Sequence, residues 1–218
     1  MAQKLILPMD NTILTASWQT EAYLNHFDCE HFGIDLVSAT DDHEIYSLGD
    51  GKVIGVGRDG VLGNTVIMEY SKVVRKGSKK NIDVICRFSH LKSISVRPQQ
   101  VVKQGRLLGI YGRTSMYPIE PHLHLEIDTD LQNPYSTPTI LKSNFLRRAI
   151  RGTKMKYLFN PMEVLNIQAG ILHTQTFTYT GTPFISDNDR EEIPCMPDTP
   201  RKVYYATELP PLQSTTPL

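Results

Sequence analysis

The chain has 218 residues, of which 40% are hydrophobic and 21% charged, as in a soluble globular protein. Lysine plus arginine equal aspartate plus glutamate at 23 each, so we expect no nucleic-acid partner and no attraction to an anionic membrane. No apolar run approaches the roughly 18 residues that cross a bilayer, so we expect neither a transmembrane segment nor a signal peptide in this chain.

A metal-binding pattern first becomes possible at His31-x-Gly33-x-Asp35, after a lead-in of mixed character. In a straight strand His31 and Asp35 would share a face but stand roughly 13 Å apart, too far for one metal ion. Gly33 allows a kink or bulge in the backbone, so that the imidazole and the carboxylate can converge.

Glycines alternate with short β-rich runs between residues 45 and 112. Such punctuation, with turn signals about every 8 to 12 residues, predicts a mainly antiparallel β domain. One of these strands, residues 83–91, ends at His90. The three cysteines, Cys29, Cys86 and Cys195, show no CxxC spacing, so we expect free or buried thiols.

Residues 121–127, with the sequence PHLHLEI, alternate polar and apolar side chains. This alternation predicts a half-buried strand with His122, His124 and Glu126 on one face, neighbours on that face being roughly 6.6 Å apart. The two imidazoles could act at one site as zinc ligand, general base or electrophile. Alone, the pattern favours an ordinary polar strand face over a functional site, and Glu126 fits either a hydrogen-bond partner of a ligand or a structural carboxylate.

Four motifs occur in a characteristic order along the chain: His31-x-Gly33-x-Asp35, Ser89-His90-Leu91, the glycine-containing segment 101–112, and PHLHLE at 121–126. Together they resemble the lysostaphin-type (LytM-domain) zinc metalloendopeptidases, which cut peptidoglycan cross-bridges. The resemblance covers residues 31–127 and includes a family-like exit at Asn160-Pro161.

The resemblance implies that His31, Asp35 and His124 bind one zinc ion per chain and leave a fourth position to water. It also implies that His90 and His122 lie beside the metal and carry the proton transfers. His43 and His173 match no position of the family, and we expect them to be surface or packing residues.

Two segments depart from the family pattern. Residues 116–120 are bulkier and more apolar than the small residues usual before the Pro-His-x-His motif. An insertion at about residues 128–158 contains a basic amphipathic stretch, 144–156, which predicts a short helix. That helix would cover the core, or hold an acidic wall polymer or a protein partner.

The last 38 residues, 181–218, contain seven of the 14 prolines and predict an extended C-terminal arm. We therefore expect a metallopeptidase domain at residues 1–180 and an extension at 181–218, which docks on the domain or on a protein partner.

The sequence as a whole predicts a compact, mainly antiparallel β-sheet or sandwich domain of the lysostaphin/LytM type, with an open groove, a short helical insertion and an extended tail. The resemblance implies a zinc endopeptidase that hydrolyses an amide bond in the peptide stem or cross-bridge of peptidoglycan, outside the cytoplasm. The alternatives are an inactive or weakly active scaffold of the same fold in a cell-envelope, sporulation or phage assembly, and a metalloprotease acting on protein. Because all five expected site positions are filled, the enzyme is favoured.

Overall fold

Antiparallel strands dominate the computed structural model, which describes residues 1–21, 23–24, 30–117, 119–137 and 156–166 and the two-residue strand at 178–179. Most of the helix predicted for 144–156 and the whole arm at 181–218 lie outside these residues. Among the described residues no helix is both long and apolar enough to span a membrane.

The strands are numbered in chain order: β1 Thr12–Ala16, β2 Ile34–Ser38, β3 Glu44–Tyr46, β4 Gly51–Asp59, β5 Gly63–Val73, β6 Ile82–Ser89, β7 Leu91–Ile94, β8 Val101–Val102, β9 Leu107–Tyr111, β10 Leu123–Asp128 and β11 Thr178–Tyr179. A single 3-10 turn, Pro161–Glu163, is also described; its N-cap residue Asn160 accepts a hydrogen bond from the Met162 backbone N–H through its side chain.

The larger sheet has eight strands in the order β11-β1-β2-β10-β6-β5-β4-β8, and the smaller sheet has the order β3-β9-β7. Every pairing among these strands is antiparallel except that of β1 with β11. The predicted mainly antiparallel β fold is therefore confirmed. Strand β10 lies between β2 and β6, and these three central strands carry or adjoin the histidine motifs.

Alternation along β10 and β6 separates the core from a polar face. Leu123, Leu125 and Ile127 of β10 belong to the apolar core, which also includes Phe88 and Cys86 of β6. Burial raises the pKa of the Cys86 thiol well above its ordinary value, so this cysteine is the inert buried thiol that the sequence predicts.

The opposite face of β6 and β10 contains a buried ion pair that the sequence did not predict. Arg87 is 1% exposed and donates from Nη1 to Oδ2 of Asp128, which is fully buried, over 2.5 Å. Its Nε also donates to the carbonyl oxygen of Pro134 over 3.0 Å. Residues 129–137 therefore fold back over this face of the sheet, where the Tyr135 hydroxyl donates to the backbone carbonyl of Ile54.

We predict that Arg87→Met destabilises the fold strongly, because it leaves the Asp128 carboxylate buried without a cation. The free energy of unfolding should fall by about 3–5 kcal/mol, measured by urea denaturation. The matched control is Lys103→Met, which removes the exposed Lys103–Asp50 ion pair and should cost at most about 1 kcal/mol. Equal losses in the two variants would contradict a structural role for the buried pair.

Candidate metal centre and active site

The three central strands bring the five sequence-predicted side chains to one place. In the register of the sheet, His124 of β10 lies opposite Asp35 of β2 on one side and Ser89 of β6 on the other. The other three histidines lie next to the ends of these strands: His31 before β2, His90 after β6 and His122 before β10.

The side chains of His31, Asp35 and His124 present three converging ligand atoms. His31 Nε2 lies 3.1 Å from Asp35 Oδ1 and 3.1 Å from His124 Nδ1, and the last two atoms are 2.8 Å apart. Ligands about 2.0–2.2 Å from a single zinc ion have comparable separations, and two imidazoles with one carboxylate form a donor set that zinc commonly takes. The residues therefore fit the metal that the resemblance implies.

Gly33 is needed at this site because of space. A Cβ at this position would lie 2.7 Å from His124 Cε1 and 2.7 Å from the carbonyl oxygen of Leu125. Strand β2 begins only at Ile34, so His31 lies outside it and the separation expected for a straight strand does not apply. The missing side chain lets the His124 ring approach the chain that carries His31 and Asp35.

A hydrogen bond on the outer nitrogen orients each of the two candidate ligand histidines. His31 Nδ1 lies 3.0 Å from the carbonyl oxygen of Ser17, which can only accept, so Nδ1 carries the proton and Nε2 presents its lone pair. His124 Nε2 lies 3.3 Å from Oε1 of the buried Glu126. Glu126 thus makes the contact with a ligand that was one of its two expected roles. The Tyr23 ring stacks on His31, with ring centroids 4.3 Å apart.

His90 and His122 stand beside the three converging atoms. Their ring centroids are 4.8 Å apart, and that of His90 is 5.9 Å from that of His124. His90 Nδ1 donates to the Thr114 carbonyl over 3.0 Å, and His122 Nδ1 donates to the Glu120 carbonyl over 2.7 Å. Each ring therefore keeps its Nε2 available to accept a proton, and that of His122 is 3.7 Å from Asp35 Oδ1.

His90 adopts a left-handed backbone conformation, with φ of 65°, which is uncommon for a residue other than glycine. Its N–H donates to the Leu62 carbonyl over 2.8 Å, and its own carbonyl accepts from Gly112 over 2.9 Å. The chain packs so closely here that a Cβ on Gly63, itself at φ +63°, would lie 1.7 Å from the Thr114 carbonyl oxygen. The sequence analysis did not predict this role of Gly63. The only hint of the close contact in the sequence is the glycine itself.

Electrostatic interactions link the three converging groups and shift their pKa values. Burial raises the pKa of Asp35, but the His31 and His122 imidazoles and a hydrogen bond with His124 outweigh it and hold that pKa well below its ordinary value. Burial lowers the pKa of His124, but hydrogen bonds to Asp35 and Glu126 raise it to about 10. Burial raises the pKa of Glu126, while its bond with His124 brings it down to about 2.

The pKa values of the two remaining site histidines are lowered, whereas that of His124 is raised. Burial, with His122 and His124 nearby, lowers the pKa of His90 well below its ordinary value. Burial also lowers the pKa of His122, although Asp35 and the Glu120 carbonyl act against it. Both imidazoles are therefore neutral at pH 7 in the metal-free protein and can act as bases.

His43 stacks on Tyr111, with ring centroids 4.3 Å apart, as expected of a packing residue. His173 lies outside the described residues. The unusual segment before His122 contributes the Glu120 carbonyl to the site. In the same segment the Met116 side chain is exposed, and the Met116 backbone N–H donates to the Gly60 carbonyl.

Comparison with known proteins identifies the family. A family model described as Peptidase family M23 matches residues 29–135. Over 83 residues the chain is 35% identical to peptidoglycan DD-endopeptidase ShyB of Vibrio cholerae serotype O1, an alignment that covers 38% of this chain and 17% of ShyB. The chain thus spans about a sixth of the length of this relative.

Two solved structures share the fold. The solution structure of lysostaphin matches 81% of this chain and 60% of its own at 18% identity, with a TM-score of 0.50. The structure of the SpoIIQ–SpoIIIAH pore-forming complex matches 76% of this chain and 93% of that chain, also at 18% identity, with a TM-score of 0.52. The expected lysostaphin/LytM type of fold is confirmed by these matches, and residues 29–135 of this chain belong to peptidase family M23.

Proposed function

We propose that this chain is a zinc-dependent endopeptidase that hydrolyses an amide bond in the peptide stem or cross-bridge of bacterial peptidoglycan. The observation that carries the proposal is the convergence of His31 Nε2, Asp35 Oδ1 and His124 Nδ1 beside two neutral histidines. Membership of a peptidase family supports the reaction class. The sequence similarity to a peptidoglycan DD-endopeptidase supports the substrate.

His31, Asp35 and His124 would hold one zinc ion through these three atoms. Three protein ligands leave a coordination position open, as catalytic zinc sites require. A zinc ion bound there supplies Lewis-acid chemistry, which polarises a carbonyl and lowers the pKa of a bound water to about 7.

His122 and His90 would move the protons at their Nε2 atoms. One imidazole takes a proton from the attacking water, and a proton is then delivered to the leaving amine of the cut bond. The carbonyl oxygens of Glu120 and Thr114 hold the opposite Nδ1–H groups, which fixes both rings and favours the imidazolium formed when Nε2 gains a proton.

The alternative is an inactive or weakly active scaffold of the same fold. Its support is the similarity in fold to the SpoIIQ–SpoIIIAH complex. The presence of all five side chains in one site favours the enzyme.

We assign the activity to a domain of residues 1–180 that acts outside the cytoplasm, with 181–218 as an extension. The pairing of Leu5 with Leu165 supports including the first residues in that domain.

We expect the purified protein to bind about one zinc ion per chain, measured by elemental analysis after dialysis. His31→Ala should weaken zinc binding by more than the roughly 10–100-fold that loss of an outer partner costs, because it removes a ligand. His43→Ala is the matched control, since His43 stacks on Tyr111 away from the ligand atoms. A wild-type protein without zinc affinity would refute the zinc proposal.

Zinc affinity should rise with pH over the neutral range. With a pKa of about 10, His124 is protonated in the metal-free protein at pH 7, whereas a ligand nitrogen must be unprotonated. Zinc binding therefore releases a proton at neutral pH, and the affinity should increase with pH by up to about tenfold per pH unit. Chelator competition at fixed ionic strength measures this slope, and an affinity independent of pH would contradict the assignment of His124 Nδ1.

Substitution of either proton-transferring histidine should separate catalysis from metal binding. We expect His90→Ala and His122→Ala each to lower the release of new amino groups from purified sacculi by about 10²–10⁴-fold. Zinc content should stay near that of the wild type, and His43→Ala should keep its activity.

Mass spectrometry of the products identifies the bond that is cut. A wild-type protein that binds zinc but releases nothing from sacculi of any cross-link type would favour the scaffold.

A further inference from the structure

A hydrogen-bonded chain of side chains leads from the ligand His124 to a segment that lies after the last motif. Glu126 Oε1 lies 3.3 Å from His124 Nε2, and the Thr137 hydroxyl donates to the other oxygen, Oε2. Glu126 is 0% exposed and Thr137 is 1% exposed. The contacts are therefore made away from solvent, where loss of a partner is not readily replaced by water.

The position of Thr137 is fixed by the fold-back of residues 129–137. Arg87 donates to the Pro134 carbonyl over 3.0 Å and to the Asp128 carboxylate. The other oxygen of Asp128 accepts from the Asp130 N–H over 2.7 Å. The bonds of Pro134 and Asp130 thus attach this segment to β6 and to the end of β10, and the Thr137 hydroxyl reaches Glu126.

This arrangement determines which nitrogen of His124 faces the metal site. Nδ1 is the atom that converges with His31 and Asp35, so the ring can act as a ligand only if its proton is on Nε2. The Glu126 carboxylate is ionised and can only accept hydrogen bonds, so Oε2 accepts from the Thr137 hydroxyl and Oε1 accepts from His124. His124 must therefore donate from Nε2, which leaves the lone pair on Nδ1.

We propose that Glu126 and Thr137 are positioning residues that act through His124 and set the affinity of the metal site. The inference rests on the proposed function, because it takes His124 as a zinc ligand. Thr137 lies outside the motifs that carried the family resemblance, and its contribution comes from the 129–137 fold-back.

The test measures zinc affinity by chelator competition at constant pH. Thr137→Val keeps the shape of the side chain but removes the hydroxyl, and we expect about tenfold weaker binding, within the range for outer partners of metal ligands. Thr137→Ser should restore the affinity of the wild type. Glu126→Gln keeps an oxygen acceptor but removes the charge, and it should also weaken binding about tenfold.

Thr12→Val is the matched control, because Thr12 is also fully buried and its hydroxyl donates to the Met9 carbonyl. We expect it to lower the unfolding midpoint of the metal-free protein without changing zinc affinity. The visible absorption of the cobalt-substituted protein gives a second readout, and it should change in Thr137→Val but not in Thr12→Val.

If Thr137→Val and Glu126→Gln lower the unfolding midpoint but bind zinc within twofold of the wild type, both residues are merely structural and the inference is overturned. If Thr137→Val does not fold, the zinc affinities of Glu126→Gln and Thr12→Val are compared instead. Equal affinities in these two variants would overturn the inference. A wild-type protein without zinc affinity overturns the proposed function, and this inference with it.

Discussion

Strand β10 pairs with β2 on one side and with β6 on the other, and this double pairing determines the geometry of the site. Along β10 the apolar side chains at 123, 125 and 127 enter the core, while His124 and Glu126 face the polar side. A slip of one residue would exchange the two sets. The burial of the core residues therefore also holds His124 opposite Asp35, so the energy that stabilises the sheet maintains the register of these two proposed ligands.

The four site histidines are oriented by two kinds of acceptor. Backbone carbonyls hold the outer nitrogens of His31, His90 and His122, whereas a buried carboxylate holds that of His124. A carboxylate favours the charged imidazolium much more than a carbonyl does. The difference agrees with the opposite directions of the pKa shifts of His124 and of the neutral pair His90 and His122.

The sequence predicted which residues form the site better than it predicted the contacts that hold them in place. The period of two placed His124 and Glu126 correctly on one face of β10, because alternation is a local property, whereas His122 lies just before the strand. The strand was predicted to be half-buried, but all six of its residues are buried, because polar groups also pack over its other face. The prediction that His31 and Asp35 bind the same metal ion depended on the family resemblance. The role proposed for Gly33, a kink or bulge in the backbone, was incomplete. Its close contact is with His124, which is 91 residues away in the chain.

The contacts missed by sequence reasoning are those made between distant segments. Arg87 with Asp128 depends on the pairing of β6 with β10, and Thr137 with Glu126 depends on the fold-back of residues 129–137; no local pattern encodes either. Gly63 against Thr114 is a similar case, since the need for glycine arises from a carbonyl 51 residues later in the chain. Composition and spacing describe what a segment can form, whereas these contacts depend on which surfaces meet.

In the loop before the His-x-His strand, the Nδ1–H groups of His90 and His122 donate to backbone carbonyl oxygens, those of Thr114 and Glu120. Every amino acid supplies such an oxygen, so the bond to His122 does not depend on which side chain stands at position 120. The bulky, apolar stretch from Met116 onwards is compatible with an intact set of site histidines for this reason. In the proposed enzyme, the side chains of this loop would then contact the substrate, while the path of its main chain would orient the two proton-transferring rings.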